Sequence, residues 1–170
     1  MSHPTPEELE DLRAELVEKV AGRKIIILGV GKELRGDDAL GPVLARRLDG
    51  RVAATVLDVQ DVPENYAVRT SDMGVEVALI LDAAQMHLPT GSVRLLVAAD
   101  LPPVPGGSHR PSLEMFAAFV RPDGGVETYV LGLQPDMSRV GMGDEMSDEV
   151  CSAVDAVERV LVEVLGPDAN

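Results

Sequence analysis

Apolar residues in this chain fall into two alternating kinds of segment. Leu9, Leu12, Leu16 and Val20 recur at helical spacing. Thr5-Pro6-Glu7-Glu8 precedes them with an N-cap, a first-turn proline and a glutamate three residues after the cap, so a helix is expected that ends at Gly22. An unbroken apolar run at 25–28 then reads as a strand buried on both faces, over about 24–29. The helical spacing returns at Leu40, Val43, Leu44 and Leu48, predicting a helix from near Ala39. A second strand is expected at 52–59, and Pro63-Glu64-Asn65 opens a short helical segment towards Arg69. A third buried strand at 75–81 ends in Asp82, and a Pro-Thr-Gly turn at 89–91 leads to a fourth at 92–97. Residues 102–111 are rich in Pro and Gly and read as a loop. A helix at 112–120 and a strand at 126–131 follow. Ser147-Asp148-Glu149 caps a last long helix with Val150, Val154, Val157, Leu161 and Val164 on one face.

Strands alternating with helices predict a mostly parallel sheet covered on both faces, and hence an α/β fold. The short link between the third and fourth strands predicts one antiparallel strand. At 170 residues the chain is expected to form one domain over 1–170, with a helical extension at 1–22 and a core at 24–165. Aromatic residues make up only 2% and Trp is absent, so the core must be aliphatic.

Charge narrows the function classes. A formal net charge of -14 opposes nucleic acid, whose affinity comes from Lys and Arg on phosphates, and equally opposes an anionic membrane surface. No apolar run reaches the length of a membrane span, and the acidic, polar N-terminus is unlike a signal peptide. One Cys excludes a disulfide framework. A cytoplasmic protein without nucleic-acid partner or membrane insertion is expected, with a monomer favoured.

The residues able to carry chemistry gather after strands. Gly29-Val30-Gly31-Lys32-Glu33-Leu34-Arg35-Gly36-Asp37-Asp38 follows the first strand, where open α/β sheets bind ligands. Either acid suits a helix N-cap, but capping needs only one of them. The segment lacks the third glycine of a dinucleotide fingerprint and the Gly-Lys-Ser/Thr of a phosphate loop. Asp82 either caps a turn or points into the same sheet edge. If the first and third strands are neighbours, Asp38 and Asp82 face one crevice. His109 stands in the loop Gly106-Gly107-Ser108-His109-Arg110, either exposed or reaching inward as a ligand or base. Two carboxylates and an imidazole suit a divalent metal such as zinc or nickel. His3 is expected in a frayed terminus, and His87 in the turn after Asp82. Glu64 reads as a first-turn acid favouring the helix dipole. Cys151 reads as core rather than nucleophile. Met137, Met142 and Met146 share a loop as gap fillers or partner contacts.

Taken in order, these segments resemble the [NiFe]-hydrogenase maturation endopeptidases. The resemblance rests on Gly-x-Gly-x-x-Leu-x-x-Asp-Asp-x-x-Gly-Pro at 29–42, on Pro63-Glu64-Asn65, on the strand ending in Asp82, on the loop His109 and on Leu131-Gly132-Leu133-Gln134-Pro135. The Gln-Pro-Asp segment is most similar to the branch serving formate-hydrogenlyase and energy-converting hydrogenases, with the coenzyme F420-reducing type as an alternative. The resemblance implies a three-layer α/β/α sandwich around a five-stranded, mostly parallel sheet. It implies an endopeptidase that cuts once near the C-terminus of a hydrogenase large-subunit precursor after nickel insertion. It also implies nickel contacts from Asp38, Asp82 and His109, with Asp38 and Asp82 catalytic and the nickel supplied by the substrate. Lys32 stands where the family usually has Asn, and Ala39 where it usually has Gly. The competing expectation is a non-enzymatic nickel carrier or chaperone of the same fold.

Overall fold

The computed structural model describes residues 2–97, 110–120, 123 and 125–169. The elements run α1 (Pro6–Val20), β1 (Ile25–Val30), a 3-10 turn (Asp37–Ala39), α2 (Leu40–Leu48), β2 (Thr55–Gln60), a second 3-10 turn (Pro63–Tyr66), α3 (Ala67–Asp72), β3 (Val77–Ala83), β4 (Val93–Val97), α4 (Arg110–Phe119), β5 (Glu127–Leu133) and α5 (Asp148–Leu165). The expected order of elements is borne out. The second strand starts three residues late, because the chain first turns at Gly50, in the left-handed region at φ 75°, and the Ala53 N–H donates to the Leu165 carbonyl.

The sheet order is β2-β1-β3-β5-β4. β1 pairs in parallel with both β2 and β3, and β3 with β5. β4 is antiparallel to β5, so the short β3–β4 link steps over β5's place in the sheet rather than forming a hairpin. This is the expected single antiparallel strand, with a different neighbour from the one a short link suggests.

Alternation along the strands divides the core into two layers. Ile25, Ile27, Val77, Leu79 and Leu81 pack with Leu12 and Leu16 of α1, Leu40 and Leu44 of α2, and Val154 and Val157 of α5. Ile26, Leu28, Ala78, Ile80 and Val130 pack on the other face with Ala67 of α3 and with Leu113 and Phe116 of α4. The result is the expected α/β/α sandwich. Leu12, Leu16 and Val20 are buried, so α1 packs into this core layer. Each such leucine removed from water contributes about 2 kcal/mol.

α1 is further held at its N-terminus. Thr5 and Glu8 form a reciprocal capping box, and the Glu8 carboxylate also accepts from Arg94 of β4 at 2.9 Å and meets His3 Nδ1 at 2.9 Å. His3 is therefore not frayed: it bridges Glu8 and the Ser92 hydroxyl. Burial works to raise the Glu8 pKa, but the Thr5 N–H, His3, Arg94 and Ser92 outweigh it and bring it down to about 2.

Candidate functional site at the carboxyl edge of the sheet

The loop after β1 brings the acid pair to the carboxyl ends of the parallel strands. It can do so because α2 packs almost on the strand backbones. A Cβ on Gly41 would lie 2.1 Å from the Val30 carbonyl oxygen and 2.5 Å from that of Leu81. Only glycine allows the first turn of α2 to sit that close to β1 and β3. The 3-10 turn carrying both acids lies against β3, the strand that ends in Asp82.

Neither acid is an N-cap. The cap position of the 3-10 turn is Gly36 and that of α2 is Ala39, and neither makes a side-chain cap. The two acids instead part company. Asp37 is fully buried, and its carboxylate accepts from Ser147 N–H at 2.6 Å, the Ser147 hydroxyl at 2.9 Å and Asp136 N–H at 2.8 Å. It ties the β1 loop to the loop after β5 and to the cap of α5, since Ser147 Oγ also accepts from Val150 N–H. Asp38 is 8% exposed and accepts from Lys32 N–H at 3.1 Å, across the glycine-rich turn. Lys32 Nζ itself reaches Asp61 at 2.8 Å, so its charge is directed towards β2's end rather than left over the acids.

Asp82 is 3% exposed and pairs in register with Gly132 of β5. β1 and β3 are adjacent, as the shared-crevice expectation required. By strand parity Asp82 shares the sheet face of Ala78 and Ile80, which is the face covered by α4. His109 lies outside the described residues; it directly precedes Arg110, the first residue of α4. Among the described residues no three His, Cys, Asp or Glu side chains group as a metal site.

Gln134 is a residue whose role the sequence did not reveal. It is buried, and its Oε1 accepts from Met86 N–H at 2.7 Å and Leu88 N–H at 3.3 Å, while Nε2 donates to Gln85 and to the Pro135 carbonyl. The amide thus fixes the turn that follows Asp82. A lone Gln closing a continuous apolar strand was the available signal.

The remaining candidates separate cleanly. Glu64 sits in the second 3-10 turn, which packs against α4, and one of its carboxylate oxygens is buried without a hydrogen-bond partner among the described residues. His87 is exposed in the turn, away from the strand end. Burial, then Asp148, Asp155 and Asp37, push the Cys151 thiol above its ordinary value, which disfavours a thiolate nucleophile. Met146 packs against the core, while Met137 and Met142 are exposed.

No family model matches the chain. The hydrogenase 3 maturation protease of Escherichia coli K12 is 30% identical over 135 residues, spanning 78% of this chain and 85% of that protein. The solution structure of the endopeptidase HycI from Escherichia coli superposes with a TM-score of 0.69 at 26% identity, covering 82% of this chain and 89% of that one. The [NiFe] hydrogenase maturation protease HycI from Thermococcus kodakarensis KOD1 shares the fold, with a TM-score of 0.78 at 22% identity over 89% of this chain and 98% of that one. These likenesses show that the chain belongs to the hydrogenase maturation protease family and is a peptidase.

Proposed function

We propose that this protein removes a C-terminal peptide from the nickel-loaded large-subunit precursor of a [NiFe] hydrogenase. The observation that carries the reading is the pair of buried carboxylates at one sheet edge, Asp38 in the turn after β1 and Asp82 at the end of the adjacent strand β3. Asp38 and Asp82 are the catalytic residues, and with His109 they receive the nickel of the substrate. The metal is cargo of the precursor, not a resident of the enzyme.

Peptide hydrolysis needs an activated water, a polarised carbonyl and a proton for the leaving amine. A carboxylate at the cleft can accept the water's proton and pass it on to the amine. Nickel in the substrate supplies Lewis acidity at the scissile region and positions the tail. Which of the two activates the water separates an aspartate-type from a metal-assisted peptidase, and both need the same two acids. Selectivity for loaded precursor follows from differential binding. Carboxylates facing a metal-free tail gain little, whereas a cation bridging enzyme and substrate adds charge-assisted contacts. The lone cysteine suits a reducing cytoplasm.

The test is cleavage of nickel-loaded precursor by Asp38→Asn and Asp82→Asn variants, read by intact mass. Each should lose at least about a hundredfold in rate, the usual scale for removing a general base. Wild-type rates in both variants would sink the reading.

A further inference from the structure

Beside the acids, two loops interlock. Gly36 N–H donates to the Gly143 carbonyl at 2.9 Å, Gly141 N–H donates to the Arg35 carbonyl at 3.0 Å, and Gly36 bridges Val140 in antiparallel fashion. The approach is tight: a Cβ on Gly36 would lie 2.0 Å from the Arg139 carbonyl oxygen. Asp37 fastens the same two loops from beneath. This rigid rim nonetheless presents apolar side chains to solvent. Leu34 is 70% exposed, Met142 69% and Met137 44%. Leu34 is held at φ 60°, a left-handed conformation that a leucine rarely adopts. The loop bearing this exposed leucine in strained backbone is thus bridged to the loop that bears two exposed methionines, and such apolar exposure marks interaction surfaces. Methionine adapts to different apolar partners, which suits a peptide contact.

The charges on the rim restrict what it takes. Arg35 and Arg139 lie on the bridged stretches, and neither guanidinium is hydrogen-bonded or ion-paired among the described residues. Most of the chain's other described arginines are paired, including Arg13, Arg23, Arg47 and Arg94. Arg139 does act on Asp136, whose carboxyl is held low first by the Ser138 hydroxyl and N–H. Asp144 and Glu145 lie beyond Gly143, past the bridged stretch.

We infer that this rim is the docking surface for a peptide segment of the precursor that carries apolar side chains with a carboxylate beside them. Leu34, Met137 and Met142 take the apolar side chains, and Arg35 and Arg139 take the carboxylate. The inference rests on the function proposed above, since the rim is continuous with the site that would hold the cut. It adds a metal-independent contact to the metal-dependent one: the rim gathers the tail, and nickel decides whether it is cut.

The experiment is calorimetric titration of metal-free large-subunit precursor, which is not consumed, into the wild-type protein and into the double variant L34G/M142S. Glycine suits φ 60° and Met142 is exposed, so thermal melts should show the variant folded. The precursor affinity should fall at least about tenfold, while V68S, on an exposed apolar position of α3, should bind like wild type. The double variant R35A/R139A should also bind more weakly, with a flatter dependence on salt. Equal affinity for wild type and L34G/M142S, or no binding of metal-free precursor by wild type, would overturn the proposal. Cleavage of nickel-loaded precursor by wild type is scored separately, so a failure of the enzymatic reading is told apart from a failure of docking.

Discussion

Buried carboxylates hold two regions of this molecule, and they do so for different ends. Around Glu8, at the start of α1, the donors come from the same helix cap, from His3 and from β4. The cluster fastens a helix to the edge of the sheet. At the carboxyl edge the acids stand side by side in sequence and divide the work. Asp37 spends both oxygens on fixing loops, while Asp38 accepts from Lys32 N–H across its own glycine-rich turn. Burial of an acid is therefore not by itself a mark of chemistry. The two regions differ in place: Glu8 fastens a helix to the edge strand, whereas Asp38 and Asp82 lie at the carboxyl edge of the sheet, where open α/β folds bind ligands.

That contrast is breakable by substitution. Asp38→Asn should cost about a hundredfold or more in cleavage rate while the melting temperature moves only a few degrees, because an amide oxygen can still accept from Lys32 N–H. Asp37→Ala should do the reverse at the level of folding. It strips the Ser147 and Asp136 donors of their acceptor in the interior and should destabilise by about 3–5 kcal/mol, measured by urea unfolding. Gly41→Ala should cost about 2–3 kcal/mol, because a Cβ would press on the Val30 and Leu81 carbonyls and lift α2 off the sheet.

The Glu8 cluster gives a smaller effect with a pH signature. The carboxyl titrates near 2 in the folded protein, below its unfolded value, so its stabilisation is complete above about pH 5 and is lost as pH falls towards 2. At about 1.4 kcal/mol per pKa unit this amounts to about 3 kcal/mol at most, since solvent at the start of α1 screens part of it. In Glu8→Gln the stability difference from wild type should shrink across that window, and cleavage near neutral pH should be little changed. A pH-independent difference would mean that Glu8 acts through packing alone.

Much of the fold was legible because β1 and β3 are nearly unbroken apolar runs and α1, α2 and α5 carry apolar stripes. The cap at Thr5 and the cap at Ser147 were both readable from short local patterns. The neighbour of β4 was not, since a short connection says which strands follow each other and not which strand lies between them. The acid pair was readable at the carboxyl end of a strand, but the separate partners of its two members were hidden. The partners of Asp37 lie 99 and 110 positions away, and those of Gln134 in the turn after Asp82 lie 46 to 49 away. Long-range hydrogen bonds leave no periodicity in the chain. The terminal His3 was misread for the same reason, because its partner Ser92 is 89 positions distant.

The central claim is that the acid-lined edge cuts a precursor only when nickel is present. The direct measurement is intact mass of the cognate large-subunit precursor after incubation with wild-type protein, with and without its nickel. Loss of a single C-terminal peptide from the loaded precursor alone is the predicted result. Equal cleavage of both forms, or cleavage of neither, would contradict it.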